Sequence, residues 1–296
     1  MSQVILLMRD RASTRPLRFL WGLSISIVGL SVVLQSVGSG LLAAWLQLES
    51  SAAQALQAAL FAGGATGLGA LGVLVSKRRA NSQETFRFLA LSAGAMFSAA
   101  LLSLLVPAAR MTAVPAALDV VVAGIVGYAA MAALDRLLPH IHAAPRESGA
   151  WPSDSVRLMV VAIAVHNLPE GFAVGAGFGG DDALGWGTAL SIGMQNVPEG
   201  LIVATALWSI GTSRVTAFAL ALGTGLLEPI GAAFGLFAVS ASALVLPWAL
   251  AAAAGAMMFV ISEELIPESL KGTSRRTVTA HFAAGFMGMA ALLTAL

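Results

Sequence analysis

The feature that most constrains this chain is a series of nine apolar stretches, each long enough to cross a lipid bilayer as a helix. Only 10% of the residues are charged, whereas a soluble domain carries about 25%. The sequence therefore predicts an all-α polytopic membrane protein. The predicted spans cover residues 17–47, 52–76, 86–109, 113–138, 156–179, 184–209, 214–240, 243–266 and 274–296.

The spans predict three parts of the chain. Residues 1–16 form a cytoplasmic N-terminus, residues 17–47 an accessory N-terminal transmembrane helix, and residues 52–296 an eight-helix domain. With nine spans, fifteen of the 16 basic residues fall on one side, and only Arg110 lies opposite. Because Lys and Arg concentrate in cytoplasmic loops, the N-terminus is predicted to be cytoplasmic and the C-terminus external or periplasmic.

Residue usage excludes several classes of function. A net charge of +1 offers no clustered basic face for nucleic acid. The chain has no cysteine, so it has no disulfide, thiolate ligand or nucleophilic thiol. Any metal ion must be held by imidazole, carboxylate, amide or thioether groups.

Acidic residues within apolar spans are the most informative side chains. Each costs at least about 2.5 kcal/mol at a helix centre, so such residues usually mark function. Glu170, Glu199 and Glu228 lie near the middle of the fifth, sixth and seventh spans. None of the three can face lipid, which predicts a shared polar interior. Acidic residues nearer the span ends, Glu263, Glu264 and Asp119, are secondary candidates for metal binding or for the ion pathway.

The fifth and sixth spans repeat one spacing. His166 and Glu170 stand four residues apart, on one helix face, and Gln195 and Glu199 repeat that arrangement. Asn167 and Asn196 follow the first residue of each pair. Proline at 169 and 198 predicts a kink in each helix. The short turn over 179–182 makes the two helices antiparallel, so their centres meet at one depth.

This set of side chains suits a transition-metal ion. Imidazole with carboxylate favours Zn, Fe, Ni, Co or Mn over Ca or Mg, which prefer oxygen alone. We predict two sites that share Glu170 and Glu199 as bridging ligands. The first also uses His166 and Gln195, and the second Asn167, Asn196 and Glu228. Binding needs neutral imidazole and ionised carboxylates, so it weakens as pH falls.

Together these motifs resemble the ZIP (Zrt/Irt-like) family of divalent-metal transporters, in its bacterial form. The matching segments are His166-Asn-Leu-Pro-Glu170-Gly, Gln195-Asn-Val-Pro-Glu199-Gly, Glu228-Pro229 and Glu263-Glu264-Leu-Ile-Pro-Glu268. The resemblance covers about residues 52–296 and implies an eight-helix ZIP-like core, with one extra helix before it. It implies transport rather than catalysis, so no catalytic cofactor is expected.

The resemblance implies uptake of a metal substrate into the cytoplasm, with zinc as the main substrate and iron, manganese or cadmium as additional substrates. It also implies a homodimer in the plasma (bacterial inner) membrane and an elevator-like motion. Met96 falls where bacterial relatives place a thioether near the first metal. The chain differs from many relatives in having Gln195 for histidine, Asn196 for a carboxylate and Glu263 for histidine. The loop that is histidine-rich in many members offers only His140 and His142.

Other interpretations of these residues remain open. His166 with Glu170, the amides of Gln195 and Asn196, and Glu228 can each serve as hydrogen-bonded links between helices. An intramembrane metalloprotease would carry His-Glu-x-x-His, a string that the sequence lacks. A proton-coupled carrier of an organic solute would use buried carboxylates as proton sites, but it leaves His166 and the amides without a purpose.

Overall fold

The computed structural model describes residues 51–76, 82–112, 117–137 and 153–295. These residues form helices and no strand. The predicted N-terminus (1–16) and accessory helix (17–47) lie outside the described residues, as do His140 and His142.

Eleven α-helices follow one another along the described residues. They are α1 (Ser51–Val75), α2 (Ser82–Ala99), α3 (Val106–Arg110), α4 (Ala117–Leu137), α5 (Ser153–Gly180), α6 (Asp182–Ser209), α7 (Arg214–Gly225), α8 (Glu228–Ala241), α9 (Leu246–Val260), α10 (Ile266–Leu270) and α11 (Arg275–Ala295). A short 3₁₀ turn, Ala243–Val245, precedes α9. Two π-helical segments, Ala100–Leu105 and Ile261–Leu265, join α2 to α3 and α9 to α10.

Seven helical segments within the described residues are long and apolar enough to cross a membrane. This confirms a polytopic helical membrane protein, while the predicted count of nine spans is not confirmed. The predicted sixth span is the 28-residue helix α6, which is not among the seven. Amide and carboxylate side chains at its centre, Gln195, Asn196 and Glu199, lower its mean hydropathy.

The seventh predicted span is divided in two. Helix α7 ends at Gly225 and α8 begins at Glu228, with Leu227 N–H bonded to the Thr224 carbonyl. Pro229 has no N–H and therefore cannot continue the helical ladder. By contrast, α5 and α6 run without interruption through Pro169 and Pro198, so among these three prolines only Pro229 lies beside a helix break.

Glycines bring the helices of the bundle into close contact. A Cβ atom at Gly171 would overlap the backbone carbonyl of Glu228, and one at Gly200 would overlap that of Thr66. Gly171 is therefore the point of contact between α5 and α8, and Gly200 is the point of contact between α6 and α1. Small residues of this kind let helices approach closely in lipid. The glycine in each Pro-Glu-Gly motif thus has a packing role beside the carboxylate.

The two π-helical segments each precede a proline, Pro107 or Pro267. The Val106 N–H bonds the Leu101 carbonyl, and the Ile266 N–H bonds the Ile261 carbonyl, five residues back in both cases. Such segments occur frequently at functional sites. The second segment carries Glu263 and Glu264. Because a π-helical turn contains one residue more than an α-helical turn, it changes which of these two carboxylates faces the interior.

Candidate metal centre

The two motif helices form a tight antiparallel hairpin. The sequence predicted a turn over 179–182, but α5 continues to Gly180 and α6 resumes at Asp182. That turn is therefore wrong in extent, and Asp181 alone joins the helices. Its carboxylate accepts a hydrogen bond of 2.7 Å from the Leu184 N–H and caps α6. The cap lets the hairpin close with one linking residue, which aligns the two motifs.

Glu170 and Gln195 join the motif helices at the centre of the hairpin. The Gln195 Nε2 atom donates a hydrogen bond of 2.5 Å to Glu170 Oε1, and both side chains are fully buried. A buried carboxylate needs such a donor because it has lost its water. The first residue of the second motif therefore contacts the acid of the first motif directly.

Asn196 forms an equivalent link to the seventh predicted span. Its Nδ2 donates to Glu228 Oε1 at 2.5 Å and to the Ala62 carbonyl at 3.0 Å. The Ala62 carbonyl can only accept, so the amide nitrogen must face it. Both amide protons are thereby used, and the orientation of Asn196 is fixed. Helix α1 thus contributes to the centre, which the sequence did not predict.

His166 contacts an acid from the second π-helical segment. Its Nε2 lies 2.9 Å from Glu264 Oε1, and the His166 side chain is 4% exposed against 20% for Glu264. Glu264 therefore forms an ion pair or hydrogen bond with a motif residue. Glu264 belongs with the primary set of candidate residues.

Three carboxyl groups share the buried interior. Glu199 and Glu228 lie near enough to Glu170 to repel it electrostatically, and Glu199 also repels Glu228. All three are nearly or fully buried. Buried like charges are costly unless positive groups compensate them. Within the described part of the chain, His166 is the one basic side chain at this centre, so the cluster favours a bound cation.

Each oxygen-bearing side chain predicted to bind metal has a buried oxygen without a hydrogen-bond partner in the described part of the protein. These atoms are Asn167 Oδ1, Glu170 Oε2, Gln195 Oε1, Asn196 Oδ1, Glu199 Oε1 and Glu228 Oε2. Buried polar atoms are nearly always satisfied. Six such oxygens in consecutive motifs are a donor set for a cation.

The side chains do not form a ready coordination shell. Among the described residues, no group of three or more His, Asp or Glu side chains is placed to hold a metal ion. The physical reason lies in the amides, since Gln195 and Asn196 separate the acids and hydrogen-bond two of them. A metal shell here requires amide oxygens or a rearrangement of side chains.

The secondary candidates have varied surroundings. Met96 is buried in the apolar core, and Asp119 is exposed in the first turn of α4. Glu263 is exposed and accepts a hydrogen bond of 3.1 Å from the Tyr128 hydroxyl. Within the described residues, none of these three forms a hydrogen bond or ion pair with a motif residue. Sequence reasoning also missed a hydroxyl pair, in which Ser103 Oγ donates to Ser191 Oγ at 2.8 Å.

The fold and the centre together define a class of protein. A polytopic helical bundle that buries carboxylates, amides and one imidazole at mid-span is organised to move a cation through a membrane. Known proteins identify the family within that class. A family profile described as ZIP Zinc transporter matches residues 153–295.

Relatives extend the match across the chain. The protein named Zinc transporter GufA from Myxococcus xanthus is 42% identical over 246 residues, which are 78% of this chain and 94% of that protein. Zinc transporter ZupT from Salmonella arizonae is 34% identical over 70% of this chain and 83% of its own length. Zinc transporter ZIPB from Bordetella bronchiseptica is 38% identical over 56% of this chain and 55% of its own length. The chain belongs to the ZIP family of metal transporters and is not an enzyme.

Proposed function

We propose that this protein carries divalent transition-metal ions into the cytoplasm, zinc foremost and iron, manganese or cadmium as further substrates. The observation that carries the proposal is the set of six buried, unpartnered oxygens on the motif residues. The printed names of the relatives, which are zinc transporters, support zinc as the first ion to test.

The metal centre is proposed to hold two ions. The first ion binds His166, Glu170, Gln195 and Glu199, and the second binds Asn167, Asn196 and Glu228, with Glu170 and Glu199 bridging. The amide orientations support this division, because the amide nitrogens of Gln195 and Asn196 face carboxylates and their oxygens are unpartnered. His166 Nε2 cannot hold Glu264 and a metal ion at once, so ion binding displaces Glu264.

The membrane arrangement is also a proposal. The distribution of basic residues supports a cytoplasmic N-terminus and an external C-terminus in a plasma (bacterial inner) membrane. A homodimer follows from the family resemblance alone. A reporter fused after residue 296 tests the orientation, and a cytoplasmic reporter would refute the nine-span topology.

Zinc uptake into proteoliposomes tests the transport function. We expect wild-type protein to fill the vesicles, and Glu170→Gln with Glu199→Gln to stop uptake, because these carboxylates replace the water ligands of the ion. Asp182→Asn is a matched control, since it removes an exposed carboxylate from the same helix as Glu199. Absence of uptake by wild type, or full uptake by the double variant, would overturn the proposal.

Metal stoichiometry tests the two-ion centre separately. Glu228→Gln should reduce bound zinc from two equivalents towards one while uptake stays measurable. Equal loss of both ions would show a single site. Anomalous scattering from a metal-bound crystal would then place the remaining ion beside His166 or beside Asn167.

A further inference from the structure

Helix α6 carries a row of polar side chains that extends beyond the metal centre. Thr188, Ser191, Gln195 and Glu199 are spaced by three and four residues, so they share one helix face. All four are buried. Gln195 and Glu199 belong to the centre, whereas Thr188 and Ser191 continue the row towards the Asp181 turn. The centre therefore has a polar extension on one side.

The Thr188 hydroxyl, like that of Thr66, lacks the backbone hydrogen bond that two other helical threonines form. Thr205 Oγ1 donates to the Leu201 carbonyl and Thr224 Oγ1 to the Ala221 carbonyl, each at 2.7 Å. Thr188 Oγ1 has no hydrogen-bond partner in the described part of the chain, although the residue is only 1% exposed. Since a buried hydroxyl is ordinarily satisfied, this one is available to a ligand on the same face as Gln195.

Ser191 meets the first π-helical segment. Its hydroxyl accepts the 2.8 Å hydrogen bond from Ser103, which lies in the segment Ala100–Leu105. Ser191 precedes Gln195 by four residues, about 6 Å along the helix axis. The serine pair is thus one turn from the centre, between it and Thr188. It joins α6 to a segment with irregular helical bonding.

We propose that Thr188, Ser191 and Ser103 line the route by which the ion reaches the metal centre from the Asp181 side, and that the serine pair closes this route in the described conformation. The inference rests on the proposed transport function. Hydroxyl oxygens replace water ligands as the ion advances, and the serine pair must separate for it to pass. In the proposed topology, the Asp181 turn is external, so this is the entry side.

A thiol trap tests the route, because the chain has no cysteine of its own. Thr188→Cys with Ser191→Cys places two thiols three residues apart on one helix face, where a passing cadmium ion is captured by soft ligands. We expect the variant to bind one cadmium ion more than wild type. After free cadmium is removed, the captured ion should still block zinc uptake by this variant but not by wild-type protein treated in the same way, and a chelating dithiol should restore it.

The matched control places thiols elsewhere on the same helix. Thr205→Cys with Ser209→Cys removes two hydroxyls that already bond to the helix backbone. After the same cadmium treatment and removal of free cadmium, its zinc uptake should equal that of identically treated wild-type protein. The route is overturned if cadmium spares the Thr188 and Ser191 variant, or if it blocks the control equally. Failure of wild-type uptake would instead overturn the proposed function.

A disulfide tests the closing contact independently. Ser103→Cys with Ser191→Cys replaces two hydroxyls in direct contact, so oxidation should join them. We expect the oxidised protein to lose zinc uptake and the reduced protein to recover it, with either single cysteine insensitive to oxidation. Uptake that continues with the disulfide formed would refute a closing role for the serine pair.

Discussion

Replacement of Asn196 by aspartate is the sharpest test of the amide network. The Asn196 Nδ2 protons bind Glu228 Oε1 and the Ala62 carbonyl. An ionised aspartate donates neither hydrogen bond, and it places a second carboxylate beside Glu228. The Ala62 carbonyl lies within α1 and keeps its helical hydrogen bond, so the group left unsatisfied is Glu228 Oε1. A buried unsatisfied group costs about 1–3 kcal/mol, before charge repulsion is added.

This loss of stability is measurable as a change in melting temperature. At about 2 °C per kcal/mol for a chain of this size, Asn196→Asp should melt about 2–6 °C below wild type in the presence of EDTA. The six tryptophans provide a fluorescence signal for the transition. Zinc should narrow the difference, because a bound cation neutralises the added carboxylate and stabilises only the folded state.

Asn167→Asp is the matched control for this substitution. It also adds a carboxylate at a buried motif position, but neither Nδ2 nor Oδ1 of Asn167 has a hydrogen-bond partner in the described part of the chain. No protein hydrogen bond is therefore lost. The assigned role of Asn196 is wrong if Asn196→Asp melts no lower than Asn167→Asp in EDTA. It is also wrong if zinc does not reduce the difference in melting temperature between Asn196→Asp and wild type.

Three further outcomes are expected. Gly171→Ala should lower the yield of folded protein, because the added Cβ overlaps the Glu228 backbone. Gly64→Ala should not, because no atom lies within 4 Å of its added Cβ. Equal yields of the two variants on gel filtration would contradict this. Glu264→Ala should tighten zinc binding by at least about tenfold, because it frees His166 from a hydrogen bond to a carboxylate that is worth about 1.5–3 kcal/mol. Weaker zinc binding by this variant in calorimetry would indicate that Glu264 is a ligand instead. Zinc affinity should fall as pH is lowered, because protons compete at His166 and the glutamates; an affinity that is constant with pH would contradict binding by these groups.

The helical bundle was predictable because membrane insertion imposes a simple length rule. An apolar run of about 20 residues crosses the hydrocarbon core, and most predicted spans match described helices within a few residues. The π-helical segments were not predictable in this way. One extra residue rotates everything beyond it by about 100°, so the helical period cannot say whether Glu263 or Glu264 faces inward. That choice depends on how α9 packs against α5 and how α10 packs against α2.

The candidate residues were predictable by type but not by contact. A buried carboxylate four residues after His166 marks a functional position on physical grounds alone. The sequence does not reveal that Gln195 and Asn196 turn their nitrogens towards Glu170 and Glu228. It also does not reveal the Ala62 carbonyl, because a backbone acceptor has no sequence signature. These contacts arise from helix pairs that meet only in the folded bundle.

The two amides explain how three buried carboxylates coexist before a metal ion arrives. Each amide directs its nitrogen to a carboxylate and leaves its oxygen unpartnered. The same neutral side chain therefore stabilises an acid and presents a ligand, without adding charge. Histidine or aspartate at either position would supply a stronger ligand, but aspartate would remove the stabilising donor. We therefore propose that the α5 half of the centre binds the ion through His166 and Glu170, while the amides of the α6 half hold the acids in place. Selectivity among metals should then follow from the oxygen-rich α6 half.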